Sequence, residues 1–313
     1  HIYLFSILMN RNLSIITITL SSGAILTFFL FFLINYYQDP YNFNKTQNIF
    51  EDTHNEAFKF NERLFKLKNF KNNPSENIII GNSVVDDIDV KNFKRFKISK
   101  LCYGGASVKE IYQTFLYITD HYKISNVILG VSFGDYNAEK NEKNLDQTLK
   151  FINNKWFYYF NYDISKISLK IIFNKLSNKK LENSNQDEDA WNRIYNFQEK
   201  YYNNFSLSET KLKYLDNIIR LAKNKNINLI IVVPPIHNDL LKIIKNLSNR
   251  NYILNFSETI NKNKINIIYS NNDKFNNDKL NFVDPLHLSD LGLQKLSLEI
   301  EKNLIDTNYS NEK

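Results

Sequence analysis

From residue 77 onward, short apolar runs alternate with amphipathic stretches. The runs are "NIIIG" (77–81), "FKISKLCYG" (96–104), "NVILGVSF" (126–133), "INLIIVVPP" (227–235) and "INIIYS" (265–270). Their brevity and continuity suit strands buried on both faces, and two prolines stop the fourth. Between them, "SVKEIYQTFLYITDHY" (107–122) brings Val108, Ile111, Tyr112, Phe115 and Ile118 onto one helical face. "LSETKLKYLDNIIRLAKNKN" (207–226), with Ser208 as its N-cap, and "LSDLGLQKLSLEIEKNLI" (288–305) read as two more helices. Strands separated by helices predict a parallel sheet with right-handed crossovers. The expected fold class is therefore α/β, a three-layer α/β/α sandwich around a five-stranded parallel sheet. Residues 139–206, aromatic and rich in Asn, break the rhythm and read as a helical insertion over the sheet's functional edge.

The N-terminal region follows a different logic. Residues 13–34, "LSIITITLSSGAILTFFLFFLI", carry no charge and are long enough to cross a bilayer as one helix. Tyr36 and Tyr37 follow, where interfacial aromatics belong, and Arg11 precedes the run. This pattern predicts a single transmembrane helix at 13–34 with a short cytoplasmic segment at 1–12 and the bulk of the chain outside the cytoplasmic membrane. A cleaved signal peptide is the alternative, but no small-residue cleavage site follows the run. The chain's one Met is Met9, and "MNRNLSIITI" reads like a natural start. Residues 35–76 are polar with scattered aromatics and one amphipathic stretch near 54–69, and read as a juxtamembrane stalk. Residues 306–313 read as a tail.

Composition excludes several classes. Forty Lys and Arg against thirty-three Asp and Glu leave a net charge of +7, dispersed among acids instead of gathered in a patch, so no nucleic-acid partner is expected. A single cysteine, Cys102, permits no intramolecular disulfide and no multi-cysteine metal site. Neither G-x-G-x-x-G nor G-x-x-x-x-G-K-[ST] occurs, so no phosphate-cradling loop points to a nucleotide cofactor, and no cofactor is expected.

In an open parallel sheet, ligands bind beyond the carboxyl ends of the strands. The residues expected there are small, polar or titratable: Gly81-Asn82-Ser83 after the first strand and "YGGAS", with Gly104, Gly105 and Ser107, after the second. "GVSFGDYN" follows the third, "PPIH" with His237 the fourth, and "FVDPLHLS" with Asp284 and His287 the fifth. Each has a bland use. Ser83 could cap the next helix, Asp284 could open a turn, and His237 could be a solvated imidazole in a stiff loop or a rival base. Trp156 and Trp191 could stack on sugar rings or belong to the core.

A G-[DN]-S block after the first strand, a Gly loop after the second and D-x-x-H near the C-terminus together resemble the SGNH/GDSL hydrolase family, over roughly residues 77–305. Such a domain has a flavodoxin-like sheet. The resemblance implies Ser83 as nucleophile, His287 as the base taking its proton, and Asp284 as the acid orienting the imidazole. It implies the N–H groups of Ser83 and Gly105 as oxyanion donors, with Asn82 and His237 as candidates for holding substrate. The family's G-x-N-D block is altered: Ser132 stands where the Asn belongs, and Asn137, five residues on, could serve if the loop folds back. One span, a stalk and then this domain is similar to membrane-anchored relatives that modify cell-envelope polysaccharides by O-acetylation or D-alanylation. That implies an acyl-ester hydrolase or O-acyltransferase acting on a surface glycan, with a multi-span membrane protein as acyl donor in the transferase case. The alternative is a catalytically weak glycan-binding scaffold.

Overall fold

The computed structural model describes residues 2–44, 53–177, 189–246, 250–261, 266–269 and 273–311. The chain forms two compact units, residues 69–145 with 183–313, and residues 1–68 with 146–182.

The first of these is built on five strands: β1 (Asn77–Asn82), β2 (Ile98–Tyr103), β3 (Asn126–Gly130), β4 (Asn228–Val233) and β5 (Asn266–Tyr269). All pair in parallel in the order β2-β1-β3-β4-β5. Residues 265 and 270, the expected ends of the fifth strand, lie outside the described residues. Register follows the apolar runs. Ile79 pairs with Ile128, and Ile128 with Ile230, so one row of β-branched side chains crosses the middle of the sheet. That row is buried with Ile268 and with Leu293, Leu296 and Ile300 of the helix Asp290–Asn311. Side chains alternate along a strand, so Ile78 and Ile80 point to the opposite face. There the helices Val108–His121 and Glu209–Asn224 pack against each other, against β1 and against β4. Three layers result. The last helix runs on to Asn311, through most of the segment expected to be a tail.

The chain leaves β1 toward β2 on one side and returns to β3 on the other. That reversal opens a crevice at the carboxyl ends of β1 and β3. β3 stops at Gly130, three residues before its expected end.

In the second unit one helix, Ile2–Gln38, runs through both the expected cytoplasmic segment and the expected span. Its stretch Leu13–Gln38 is long and apolar enough to cross a membrane. Asn35, close to its end, is buried. Its amide donates to the carbonyls of Tyr159 (2.8 Å) and Asn161 (3.2 Å) and to Ser165 Oγ (2.9 Å), and its Oδ1 accepts from Ser168 Oγ (3.0 Å). These partners lie on or between the helices Lys155–Tyr159 and Tyr162–Leu176. Tyr41 is fully buried and donates to the carbonyl of Ala57. Asp39 is buried too, and desolvation raises its pKa despite the N–H groups of Asn44 and Phe43 that bind it. The expected helix near 54–69 is two, Thr53–Phe60 and Glu62–Asn72. Asn61 makes the break, its side chain accepting from the N–H of Leu64. The stretch 139–206 is largely helical and divides between the units, 146–182 grouping with the N-terminal helix.

Candidate active site

The turn after β1 is shaped by two glycines on neighbouring strands. A Cβ on Gly81 would lie 2.4 Å from Val85 Cγ2, and one on Gly130 would lie 2.5 and 2.6 Å from the two Val85 methyls. Bare backbone at both positions leaves a slot that the fully buried Val85 fills. The single-turn helix Ser83–Asp86 is thereby seated on the carboxyl ends of β1 and β3.

Asn82, not Ser83, caps that turn. Its Oδ1 accepts from the N–H of Val84 at 3.0 Å. Its Nδ2 donates to Asp135 Oδ2 at 2.5 Å. With the cap supplied by its neighbour, the Ser83 hydroxyl takes a different partner, His287 Nε2 at 3.4 Å. The opposite nitrogen, His287 Nδ1, lies 2.8 Å from Asp284 Oδ2. An ionised carboxylate only accepts, so Nδ1 carries the proton and Nε2 presents a lone pair to the serine. The other oxygen, Asp284 Oδ1, accepts from the N–H groups of Leu286 (2.8 Å) and His287 (2.9 Å). One turn thus holds acid and imidazole rigidly together. The hydrogen bond that His287 donates to Asp284 outweighs burial and raises the pKa of His287 above its usual 6.5. Burial pushes Asp284 up, but the hydrogen bond and charge of His287 and the two N–H groups together hold it below 3.8. Ser83, Asp284 and His287, 204 residues apart at the extremes, are therefore brought together.

The second and third loops are locked to this turn. Gly105 sits at φ +58°, a left-handed conformation that side-chain-bearing residues rarely adopt. Ser107 and Glu110 form a reciprocal capping box at the start of the next helix, and Ser107 Oγ also bonds both polar backbone groups of Lys143. Lys140 donates to Asp135 Oδ1 at 2.6 Å and to the carbonyl of Ala106, beside Gly105, at 3.2 Å. The carboxylate of Asp135 thus joins the turn carrying Ser83 to the loop carrying Gly105. Lys211, buried, donates to the carbonyls of Asn137 (2.6 Å) and Lys140 (2.5 Å). Neither Asp135 nor Lys140 stands out in the sequence. Only the tertiary pairing reveals them.

Ser132 precedes the 3-10 turn Phe133–Tyr136 without capping it, and its side chain is half-buried. Asn137 is fully buried, its Oδ1 accepts from the N–H groups of Glu139 and Ser206, and its backbone pairs with Leu207. His237 is not a solvated imidazole. It is buried, caps the helix Asn238–Ile244 by accepting from the N–H of Asp239, and sits edge-on to Trp191 and Phe282. Burial lowers its pKa. Its backbone N–H donates to the carbonyl of Pro285, tying the loop after β4 to the one bearing Asp284 and His287. Trp191 is thus a packing residue.

A cavity of about 150 Å³ shares Leu286 with the D-x-x-H loop and Ser132 with the loop after β3. Phe133, Tyr202, Val233, Pro234, Ile236 and Phe256 make most of its remaining wall apolar. Among the described residues no cluster of three His, Cys, Asp or Glu side chains is placed to hold a metal.

No family model matches the chain, and no curated protein matches it. Several solved structures do. A lipase/acylhydrolase from Enterococcus faecalis is 10% identical, with 73% of this chain and 94% of that one covered and a TM-score of 0.41. A GDSL-like lipase from Bacteroides thetaiotaomicron is 11% identical, covering 74% and 88%, with a TM-score of 0.39. An acetyl xylan esterase is 12% identical, covering 72% and 98%, with a TM-score of 0.38. At identities near a tenth, a functional reading has to stand on this chain's own side chains.

Proposed function

We propose that the chain is a serine-dependent acyl-ester hydrolase or O-acyltransferase of the SGNH type. The observation that carries this reading is the Ser83–His287–Asp284 relay at the sheet's switch point, with Asn82 relieving the serine of the capping role. His287 takes the hydroxyl proton as Ser83 Oγ attacks an ester carbonyl. Asp284 holds the ring in the tautomer this needs and stabilises the imidazolium that forms. The N–H groups of Ser83 and Gly105 face the developing oxyanion, and Ser132 adds a hydroxyl where the family has an amide. His287 then returns its proton to the leaving alcohol. Water, or a sugar hydroxyl in a transferase, next attacks the acyl-serine. The apolar cavity beside Leu286 and Ser132 suits the acyl portion of the ester.

The N-terminal helix serves as a single-pass anchor in the cytoplasmic membrane, with the sheet unit on the outer side. That placement favours a surface glycan as the alcohol component, and a multi-span membrane protein as acyl donor if the reaction is a transfer.

The test is covalent labelling of the full chain in detergent with a fluorophosphonate, read by intact mass. One adduct is expected on the wild type, mapping to Ser83 and absent from Ser83→Ala and His287→Ala. A folded wild type without an adduct would instead favour the glycan-binding scaffold, for which the altered G-x-N-D block is the supporting feature.

A further inference from the structure

The helices Lys155–Tyr159 and Tyr162–Leu176 carry apolar surface that nothing within their own unit covers. Tyr162, Lys166, Leu169, Phe173 and Leu176 recur at helical spacing along one stripe of the second helix. Tyr162 is 63%, Phe173 64% and Leu176 74% exposed. The opposite face is buried, through Ile164, Ile167 and Ile171. A helix apolar on two sides, one of them unburied, is not patterned for water.

What covers this stripe follows from where it begins. Residues 13 to 32 are twenty residues, and at about 1.5 Å each they rise about 30 Å, the thickness of a bilayer's hydrocarbon core. Phe32 therefore marks the outer boundary of that core. Phe32 stacks on Trp156 (6.1 Å between ring centroids) and Phe160 (5.4 Å), and Phe31 meets Tyr162 at 5.9 Å. Trp156, Phe160 and Tyr162 are all exposed at that level. Lys155, placed over the Trp156 ring, and Lys166, Lys170 and Lys175 are exposed among them. Aromatic rings with interspersed lysines match the chemistry of the lipid headgroup region. The four hydrogen bonds of Asn35 pin both helices to the end of the span, so they cannot drift from that depth.

We propose that Lys155–Leu176 is a second membrane contact, an interfacial collar lying in the headgroup–acyl boundary around the exit of the N-terminal helix. The inference rests on the reading of residues 13–34 as a span. The partner is the lipid bilayer itself, not a second copy of the chain or a membrane protein.

The test uses the full chain in vesicles of phosphatidylcholine and phosphatidylglycerol with brominated acyl chains. Trp191→Phe leaves Trp156 as the sole tryptophan. Trp156→Phe with Trp191→Phe and Phe173→Trp moves the reporter to the far end of the stripe. Both reporters are expected to lose half or more of their emission, most strongly with bromine at shallow acyl positions. Circular dichroism checks that each variant is folded. Emission indifferent to bromine at either position overturns the collar, and a reporter shielded from aqueous acrylamide yet unquenched by bromine means a protein covers the stripe instead. Carbonate extraction separates the two readings. A chain that stays with the vesicles without quenching loses the collar but keeps its anchor, whereas a chain that is released loses both.

Discussion

Gly130→Ala is a small change with a calculable consequence. The new methyl would sit 2.5 and 2.6 Å from the methyls of Val85, against an ordinary carbon contact of about 3.5–4.0 Å. Val85 is fully buried, so it must move by about 1 Å, and overpacking of this kind costs about 1–3 kcal/mol. Val85→Ala alone removes two buried methyls, at about 0.8 kcal/mol each plus a cavity contribution, so about 2 kcal/mol. In the double variant the methyl added at position 130 enters the space that Val85 vacates. The two losses should then fall short of their sum by about 1–2 kcal/mol, the signature of direct coupling. Gly81→Ala should be rescued less well by the same partner. Its Cβ also lies 3.3 Å from the carbonyl oxygen of Gly130, which is backbone and cannot retreat. The assay is thermal unfolding of the full chain in detergent by circular dichroism, alongside the rate of fluorophosphonate labelling. Because Val85 seats the turn carrying Ser83, Gly130→Ala should slow labelling about 10- to 100-fold, with partial recovery in the double variant. Additive losses, or a Gly130→Ala variant as stable as the wild type, would refute the slot.

His287 acts as a base only when neutral, and its pKa is raised by Asp284, so labelling should increase with pH through a midpoint above 6.5. Asp284→Asn removes the cause, so the midpoint should move down while the plateau rate falls by orders of magnitude, to about 10⁻⁴ of wild type. The same pair stabilises the fold within a window. The raised His287 contributes fully below 6.5 and loses its contribution as pH climbs through its folded value, while the depressed Asp284 contributes above 3.8 and loses its share as pH drops through its own. Unfolding temperature measured against pH should therefore show the Asp284→Asn penalty at its largest between those values. Asp135→Ala leaves the Asn82 amide without its acceptor and Lys140 with only the carbonyl of Ala106. It should cost about 2–3 kcal/mol of stability and lower the labelling rate while leaving the Ser83 adduct chemically the same. Loss of stability with an unchanged rate would make the Asp135 bridge purely structural.

Much of this architecture is legible in the residues themselves. "NIIIG" and "NVILG" are continuous apolar runs with β-branched side chains, and a buried parallel strand is the state that satisfies such a run on both faces. The alternation with amphipathic helices leaves few topologies; Ser83 lies just past the first strand, and Asp284 and His287 lie between the last strand and the last helix, which puts all three at one edge of any of them. The sequence alone determined that much because periodicity and chain order are local properties. It could not decide between neighbours of equal propensity. Asn82 and Ser83 are both good caps; Asn82 takes the role because Val85, seated over Gly81 and Gly130, sets where β1 ends and which oxygen reaches the N–H of Val84. Asn137 and His237 are polar residues on the expected edge, yet each is turned inward because a long-range partner is there to receive it, the N–H of Ser206 for one and the aromatic pair Trp191 and Phe282 for the other. Asp135 and Lys140 become a bridge between loops through partners tens of residues away. Those choices belong to the tertiary structure, because a buried polar group is stabilised by whichever partner the packed fold brings within reach, and chain spacing carries no record of that distance.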